Sequence, residues 1–202
     1  AAYNGLKAAA REIGGVQIQA SGTIGGNLCI ASPAGDSIPC LMTLNAEIEL
    51  ASHHGARRLP LNEFLTGPRQ TACAPDELVT AVYVPSDAEM GVGGFEKLGA
   101  RRYLVISIAM TAVRLSIADG RIGDAAISVG ACAPVAIRLT ELEAGLRGMA
   151  CDMAGYFIRD SRSDIMAALS PIDDVRGTAG YRRDAAAEIV ARLVERLCGG
   201  FG

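Results

Sequence analysis

The chain has 202 residues, of which 50% are hydrophobic, and its formal net charge at pH 7 is −3. This length predicts one large or two small domains with a buried core, and the lack of basic clusters interleaved with aromatics argues against nucleic-acid binding. The longest apolar stretch, residues 103–113, is too short to cross a membrane, so no membrane association is expected. None of the six cysteines forms a C-x-x-C pair, which disfavours zinc and iron–sulfur sites and makes a cytoplasmic location the default.

The first half of the chain mixes helical and extended patterns. Alanine-rich segments favour helices, and segments with alternating apolar and polar residues favour half-buried strands. These patterns predict helices over residues 6–13 and 37–45, strands over 16–19 and 77–84, a hairpin over 46–61, and a helical turn over 62–65. Gly55 supplies the unusual φ that the hairpin needs, and Ser37 is the predicted cap of the second helix.

The two halves of the chain separate at residues 86–94, which predict a polar, glycine-rich linker. The later patterns predict a long strand over 103–117, a partner strand over 122–130 that continues over 134–139, and helices over 140–146 and 179–197. Asp119-Gly120, between the strands, is typical of tight hairpins. Thr140 and Glu143 predict a capping box, and the last helix has an apolar face suited to core packing. The elements together predict an α+β fold, with helices on one face of antiparallel strands.

The most distinctive segment, residues 23–36, reads TIGGNLCIASPAGD. Gly25 and Gly26 carry no Cβ, so a ligand can approach their backbone closely. Asn27 adds an amide, and Asp36 adds a carboxylate that could hold a sugar hydroxyl. This chemistry suits a bound polar cofactor. A tight turn between two strands is the alternative for the glycine pair, and capping of the following helix is the alternative for Asp36.

The other polar residues form no catalytic arrangement in the sequence. His53 and His54 lie in the predicted hairpin turn, where their spacing does not suit a metal pair, so we interpret them as solvated. Ser32 lies in no nucleophile elbow and has no evident histidine or aspartate partner. We therefore expect neither a catalytic residue nor a metal site.

Segment 23–36 resembles the cofactor signature in the flavoprotein subunit of the molybdenum hydroxylases, a family that includes xanthine dehydrogenase and carbon monoxide dehydrogenase. The resemblance continues, in the family's order, at residues 67–78 (GPRQTACAPDEL), 95–102 (FEKLGARR) and 170–177 (SPIDDVRG). These four blocks cover nearly the whole chain. The last block and the stretch that begins at Tyr103 are most similar to the xanthine dehydrogenase type.

The resemblance implies two domains. The second half of a PCMH-type FAD-binding domain is expected over residues 1–88, and the family's small C-terminal domain, an antiparallel sheet backed by helices, over residues 92–198. The first, N-terminal FAD subdomain is expected to be missing, because no glycine-rich pyrophosphate loop precedes Leu6. The chain begins at Ala1 without a methionine, which favours an incomplete or processed sequence.

Carried onto this sequence residue by residue, the family's pattern implies eight FAD-binding positions. They are Thr23, Ile24, Gly25, Gly26, Asn27, Asp36, Val79 and Lys97. Lys97 alone would be interpreted as a solvated surface charge, and only its place in the 95–102 block implies a cofactor contact. Ile13 holds a position that some relatives fill with phenylalanine, and an isoleucine cannot stack as an aromatic ring does.

The resemblance also implies a function. The chain would be a FAD-dependent oxidoreductase subunit that passes electrons from iron–sulfur clusters to FAD and on to NAD or another acceptor. A molybdopterin-binding large subunit and a 2Fe-2S subunit are the expected partners. The substrate, selected on another chain, can be xanthine, carbon monoxide, an aldehyde or an N-heterocycle. The alternative is a truncated, non-catalytic fragment or docking module that cannot hold FAD by itself.

Overall fold

A computed structural model describes residues 1–200 of the chain. Its helices are α1 (Asn4–Glu12), α2 (Val16–Ser21), α3 (Ile24–Ile30), α4 (Ser37–Thr43), α5 (Leu61–Phe64), α6 (Thr140–Leu146), α7 (Cys151–Asp160), α8 (Arg162–Ala168) and α9 (Ala179–Gly199). Its strands are β1 (Glu47–Ser52), β2 (Gly55–Pro60), β3 (Leu65–Gly67), β4 (Gln70–Thr71), β5 (Leu78–Tyr83), β6 (Val92–Leu98), β7 (Ala109–Ala118), β8 (Arg121–Gly130) and β9 (Ile137–Arg138). This mixture confirms the predicted α+β class. Within residues 1–200, no helix has the length and apolar character that crossing a membrane requires.

The first region is built on a three-stranded antiparallel sheet in the order β2-β1-β5. The predicted hairpin is confirmed, because β1 and β2 pair along their whole lengths and Gly55 has a φ of 134°, which residues with side chains rarely adopt. Ile48 and Leu50 of β1 are fully buried. They share a core with Leu28 of α3 and Leu41 of α4. This core fixes both helices against the sheet.

The segment around the two glycines differs from its prediction. Residues 16–19 belong to helix α2 rather than to a strand, and residues 24–30 form helix α3 rather than a turn. Four alternating residues cannot distinguish a strand from a short helix, and α2 has no buried side chain that would define an inner face. The alternation in this stretch therefore does not reflect a buried surface.

The helix predicted after the motif is confirmed as α4, but its predicted cap is wrong. Ser37 is the first helical residue, and Asp36 occupies the cap position without a capping hydrogen bond from its side chain. Neither side chain therefore acts as a helix cap, since both make contacts elsewhere.

The second region is dominated by a four-stranded antiparallel sheet in the order β6-β7-β8-β9. The predicted turn between β7 and β8 is confirmed, because Asp119 and Gly120 have φ values of 51° and 70°. Two consecutive residues with positive φ match the twist of the flanking strands. The Asp-Gly pair therefore sets the register of the longest hairpin in the chain.

Two strand predictions in this region are wrong. β7 begins at residue 109 because Leu104 has a φ of 52° and because the Arg101 guanidinium binds the carbonyls of Tyr103 and Leu104. Residues 134–139 do not continue β8. The chain turns at Ala131, where φ is 61°, and returns as β9 antiparallel to β8.

The predicted linker over residues 86–94 is only partly a linker, because its last three residues begin β6. The backbone of Ala2 lies against Gly93, and a Cβ on Gly5 would lie 2.9 Å from the carbonyl oxygen of Gly94. These glycines therefore allow α1 to pack closely on β6, which explains their presence without any need for chain flexibility.

Helices cover both faces of the four-stranded sheet, whereas the sequence predicted helices on one face. On one face Ala9 of α1 and Cys40 of α4 share a core with Met110 of β7. On the other face α6 to α9 pack against the sheet, and the predicted apolar stripe of α9 is confirmed by Val190 and Leu193. Because alternate residues of β7 point to opposite faces, seven consecutive residues of this strand are buried.

The capping box predicted for α6 is not formed. The Glu143 carboxylate accepts hydrogen bonds from the Ile127 N–H at 2.8 Å and from Arg138 Nε at 2.6 Å. Both contacts turn the carboxylate toward β8 and away from the backbone before Thr140. The contact between Glu143 of α6 and Ile127 of β8 has thus replaced the predicted capping box.

Candidate functional site

The first turn of α3 is held by its own side-chain cap. The Thr23 hydroxyl oxygen accepts a hydrogen bond from the Gly26 N–H at 2.9 Å. A Cβ on Gly26 would lie 3.1 Å from that hydroxyl, so a side chain there would crowd the cap. Gly25 faces β5, where a Cβ would lie 3.9 Å from Cγ1 of Val79. The predicted contact position Val79 therefore lies behind the glycine pair.

A cleft of about 590 Å³ opens beside this turn. Four of the eight predicted cofactor positions line it: Thr23, Ile24, Gly26 and Asn27. Ile13 lines the cleft as well. The side-chain oxygen Oδ1 of Asn27 accepts a hydrogen bond from the Ser37 hydroxyl at 2.6 Å, which leaves the side-chain nitrogen Nδ2 available as a donor.

The walls of the cleft and the adjoining α2 expose several apolar side chains. The exposed fractions are 79% for Val16, 55% for Ile18, 47% for Ile24 and 58% for Ile30. Apolar side chains clustered at a concave surface are typical of ligand sites, where the ligand removes them from water. The cleft therefore combines an apolar surface with a few polar groups from α3 and α4.

Asp36 and Lys97 lie together in the interior, each side chain 7% exposed. Lys97 Nζ donates to Asp36 Oδ2 at 2.7 Å, and the Ser107 hydroxyl donates to Asp36 Oδ1 at 2.6 Å. Nζ also lies 3.4 Å from the carbonyl oxygens of Glu12 and Val105. Buried charges need such partners, and this cluster supplies them to both ions. The interpretation of Lys97 as a solvated surface charge is therefore wrong.

The Asp36–Lys97 pair joins the two regions. Asp36 precedes α4 in the first region, whereas Lys97 lies on β6 and Ser107 precedes β7 in the second. Lys97 also lines a second cleft of about 400 Å³ beside α1, together with Glu12 and Phe95. Of the eight predicted positions, the structure thus gathers four at one cleft, places two against each other behind it, and buries two as an ion pair.

Comparisons with known proteins identify the family of the chain. The family model described as the FAD binding domain in molybdopterin dehydrogenase matches residues 1–87, and the model described as the CO dehydrogenase flavoprotein C-terminal domain matches residues 95–197. The chain belongs to the flavoprotein family of the molybdenum hydroxylases.

Individual relatives of this flavoprotein come from enzymes with different names. The nicotine 6-hydroxylase medium subunit of Paenarthrobacter nicotinovorans is 34% identical over 94% of this chain and 65% of that protein. The xanthine dehydrogenase FAD-binding subunit of Escherichia coli O157:H7 is 32% identical over 68% of this chain and 48% of that protein. A crystal structure of a Cu,Mo-CO dehydrogenase superposes with a TM-score of 0.84 at 32% identity, over 94% of this chain and 65% of that one. The chain thus spans less than two thirds of the length of these relatives.

Two serines that support the predicted positions were not among the candidates that the sequence indicated. Ser37 orients the Asn27 amide, and Ser107 holds the second oxygen of Asp36. Ser107 is flanked by isoleucines in the stretch 103–113, and a polar residue between two apolar ones was the available signal, although Thr111 in the same stretch shows the same pattern. Ser37 was assigned to helix capping because residues of its type favour that position.

Burial disfavours the thiolate form of the buried cysteines. Burial raises the pKa of the Cys132 thiol to about 11 and, together with the neighbouring Cys151, that of Cys198 to about 12. Burial also raises the pKa of Cys40 well above its usual range. Thiols that stay protonated are poor nucleophiles and poor metal ligands. Cys29, in contrast, is exposed.

Proposed function

We propose that this chain holds FAD against the cleft beside α3 and serves as the electron-transfer flavoprotein component of a molybdenum-containing hydroxylase. The observation that carries the proposal is the gathering of Thr23, Ile24, Gly26 and Asn27 at one cleft. Membership in the flavoprotein family supports FAD as the ligand of that cleft.

The residues around the cleft fit such a cofactor. Exposed Ile18, Ile24 and Ile30 offer an apolar surface to a flat aromatic ring system. Two glycines in the first turn of α3 leave the backbone open to a close approach. The free amide nitrogen of Asn27 provides a donor for a carbonyl, hydroxyl or phosphate oxygen.

Bound FAD would supply the redox chemistry of the subunit, and the protein's part is to bind and orient it. All eight predicted positions belong to the proposed site. Thr23, Ile24, Gly26 and Asn27 form the wall nearest the cofactor, and Gly25 and Val79 support it from behind. Asp36 and Lys97 act as positioning residues, because their ion pair fixes the start of α4 and with it the Ser37 hydroxyl that orients Asn27.

The partners follow from the same assignment. We propose that a molybdopterin-binding large subunit and a 2Fe-2S subunit join this chain in a cytoplasmic complex, and that NAD or another acceptor takes the electrons. Relatives at 34%, 32% and 32% identity are named for nicotine, xanthine and carbon monoxide, so no substrate stands out. A substrate chosen on the molybdenum subunit explains this spread.

The proposal is tested by titrating the full chain with FAD and following flavin fluorescence and visible absorbance. We expect saturable binding that Asn27→Ala weakens at least tenfold, because this variant removes the donor in the cleft. Asn62→Ala is the matched control, since Asn62 is exposed on α5 outside the cleft. Circular dichroism of each variant verifies that the fold is retained.

Two results would overturn the proposal for this chain. One is flavin fluorescence that rises with added FAD as it does in buffer without protein, which would favour the alternative of a docking module. The other is FAD binding that Asn27→Ala and Asn62→Ala leave equally strong, which would place the cofactor elsewhere.

A further inference from the structure

The tip of the β1–β2 hairpin carries both histidines of the chain. His53 and His54 occupy the two turn positions, and their ring centroids lie 3.6 Å apart. The Ser52 hydroxyl oxygen accepts a hydrogen bond from the His54 N–H at 3.1 Å, which fixes the backbone of the turn. Both imidazoles are exposed and point to the same side of the hairpin.

A carboxylate from a distant part of the chain lies beside these rings. Asp76 precedes β5, and its Oδ2 lies 3.9 Å from Nδ1 of His53. One ligand atom from each of His53, His54 and Asp76 can be chosen so that all three lie within 4.8 Å of one another. Within residues 1–200, no other three histidine, cysteine or acidic side chains meet this condition. The sequence alone does not indicate that Asp76 lies beside the histidines, which is why they were predicted to be solvated.

The loop that presents Asp76 is anchored to the same hairpin. The Arg57 guanidinium on β2 binds Glu77 through Nε–Oε1 at 2.6 Å and Nη2–Oε2 at 2.9 Å, and it donates to the Ala72 carbonyl at 2.8 Å. Glu77 also accepts from the Ala74 N–H at 2.8 Å. The position of Asp76 relative to the histidines is thus fixed by a bidentate contact rather than by chance proximity.

We propose that His53, His54 and Asp76 form a binding site for a divalent transition-metal ion of the zinc type. Two imidazoles and one carboxylate are ligands that Zn²⁺ takes at about 2.0–2.2 Å, so ligand atoms around the ion lie about 3.3–3.6 Å apart. The three atoms need to close by roughly an ångström, which the freely rotating exposed side chains allow. Water completes the coordination.

The donor set also selects among ions. Imidazole nitrogens suit Zn²⁺, Ni²⁺ and Cu²⁺, whereas Mg²⁺ and Ca²⁺ prefer oxygen ligands. A bound ion would join the hairpin tip to the start of β5, where Leu78 follows the Asp76–Glu77 pair. This inference is independent of the proposed cofactor, because none of the three ligands lines the cleft beside α3.

The test is a Zn²⁺ titration of the full chain by isothermal calorimetry without FAD, after native alkylation of accessible thiols, since Cys29 is exposed. We expect one ion per chain, at least tenfold weaker binding in His53→Ala and in His54→Ala, and a smaller loss in Asp76→Asn. Binding is expected to weaken from about pH 7.5 to about pH 5.5, because imidazole must be deprotonated to bind metal. Mg²⁺ is expected to give no heat of binding.

Asp119→Asn is the matched control, because Asp119 is an exposed carboxylate in the turn of the other long hairpin. It should bind Zn²⁺ as the unaltered chain does. The proposal is overturned if the unaltered chain binds no stoichiometric Zn²⁺, or if the double variant His53→Ala/His54→Ala binds it with unchanged affinity. All substitutions are at exposed positions, so each variant is expected to fold, and circular dichroism checks this.

Discussion

The cleft segment, defined as residues 13–30, and the four-stranded sheet are built in opposite ways. In the cleft segment, α2 has no buried residue and several isoleucines face solvent. In the sheet, β7 buries seven consecutive residues between two layers of helices. Burial of apolar surface is the main source of stability, so the sheet holds the molecule together, whereas α2 contributes little to folding and α3 is anchored through Leu28. The comparison shows that the chain leaves apolar side chains exposed at the cleft, where the proposed cofactor would cover them.

The Asp36–Lys97 pair connects these two parts. It lies in the interior like the sheet, yet it supports Ser37 and through it the Asn27 amide of the cleft. A substitution of Asp36 or Lys97 should therefore affect both the stability of the fold and the candidate site. A substitution in the sheet alone, or in the cleft segment alone, should affect only one of the two.

The largest effect is expected from Lys97→Met. The variant leaves the buried Asp36 carboxylate without its counter-ion, and breaking a buried pair in this way costs about 3–5 kcal/mol of unfolding free energy. Urea unfolding measures this change. Arg159→Met, which removes one partner of an exposed pair with Glu195, is the control and should cost about 0–1 kcal/mol. Equal losses in the two variants would show that the Asp36–Lys97 pair is not protected from water.

A smaller loss is expected from Gly93→Ala, which tests the packing of α1 on the sheet. The added Cβ meets the Ala2 backbone, and overpacking of this kind costs about 1–3 kcal/mol. Gly123→Ala in β8 is the matched control, because the nearest atom to its Cβ would lie 3.7 Å away. If both variants unfold at the same urea concentration, residues 92–94 behave as the linker that the sequence predicted.

Low pH should weaken the salt bridge between Arg57 on β2 and Glu77 in the loop before β5. The Arg57 guanidinium and the Ala74 N–H lower the pKa of Glu77 to about 2. A carboxylate whose pKa is lower in the folded state than in the unfolded state stabilises the fold at pH values above the unfolded-state pKa. This stabilisation is lost as the pH falls through the folded-state pKa. The difference in urea midpoint between the unaltered chain and Glu77→Gln should therefore shrink from about pH 6 to about pH 3. A constant difference across this range would contradict the assigned cause.

The smallest effect on stability is expected from Ile18→Ser. Ile18 is 55% exposed on a helix without buried residues, so the free energy of unfolding should change by no more than about 0.5 kcal/mol. FAD binding by the same variant should weaken, because the apolar surface of the cleft is reduced. A large loss of stability would show that α2 packs against the core after all.

The correct sequence predictions depend on neighbouring residues. Asp119-Gly120 and Gly55 predicted both hairpins because positive φ at a turn is a property of the residues in the turn. The apolar stripe of α9 was correct for a similar reason, since a helix of 21 residues repeats its pattern many times. The short α2 offered too few residues for such a pattern, and its prediction failed.

Sequence and family resemblance together identified the segment at the cleft, the α+β class and the flavoprotein family, because the motif residues 23–27 are contiguous and share one helix turn. Only the tertiary structure decided which partners the single charged side chains contact. It buried Lys97 against Asp36, turned Glu143 toward β8, and brought Asp76 to the histidines of a hairpin more than twenty residues away. Such contacts join residues that are distant in sequence, and their energies depend on burial and distance, which no local pattern of residues contains.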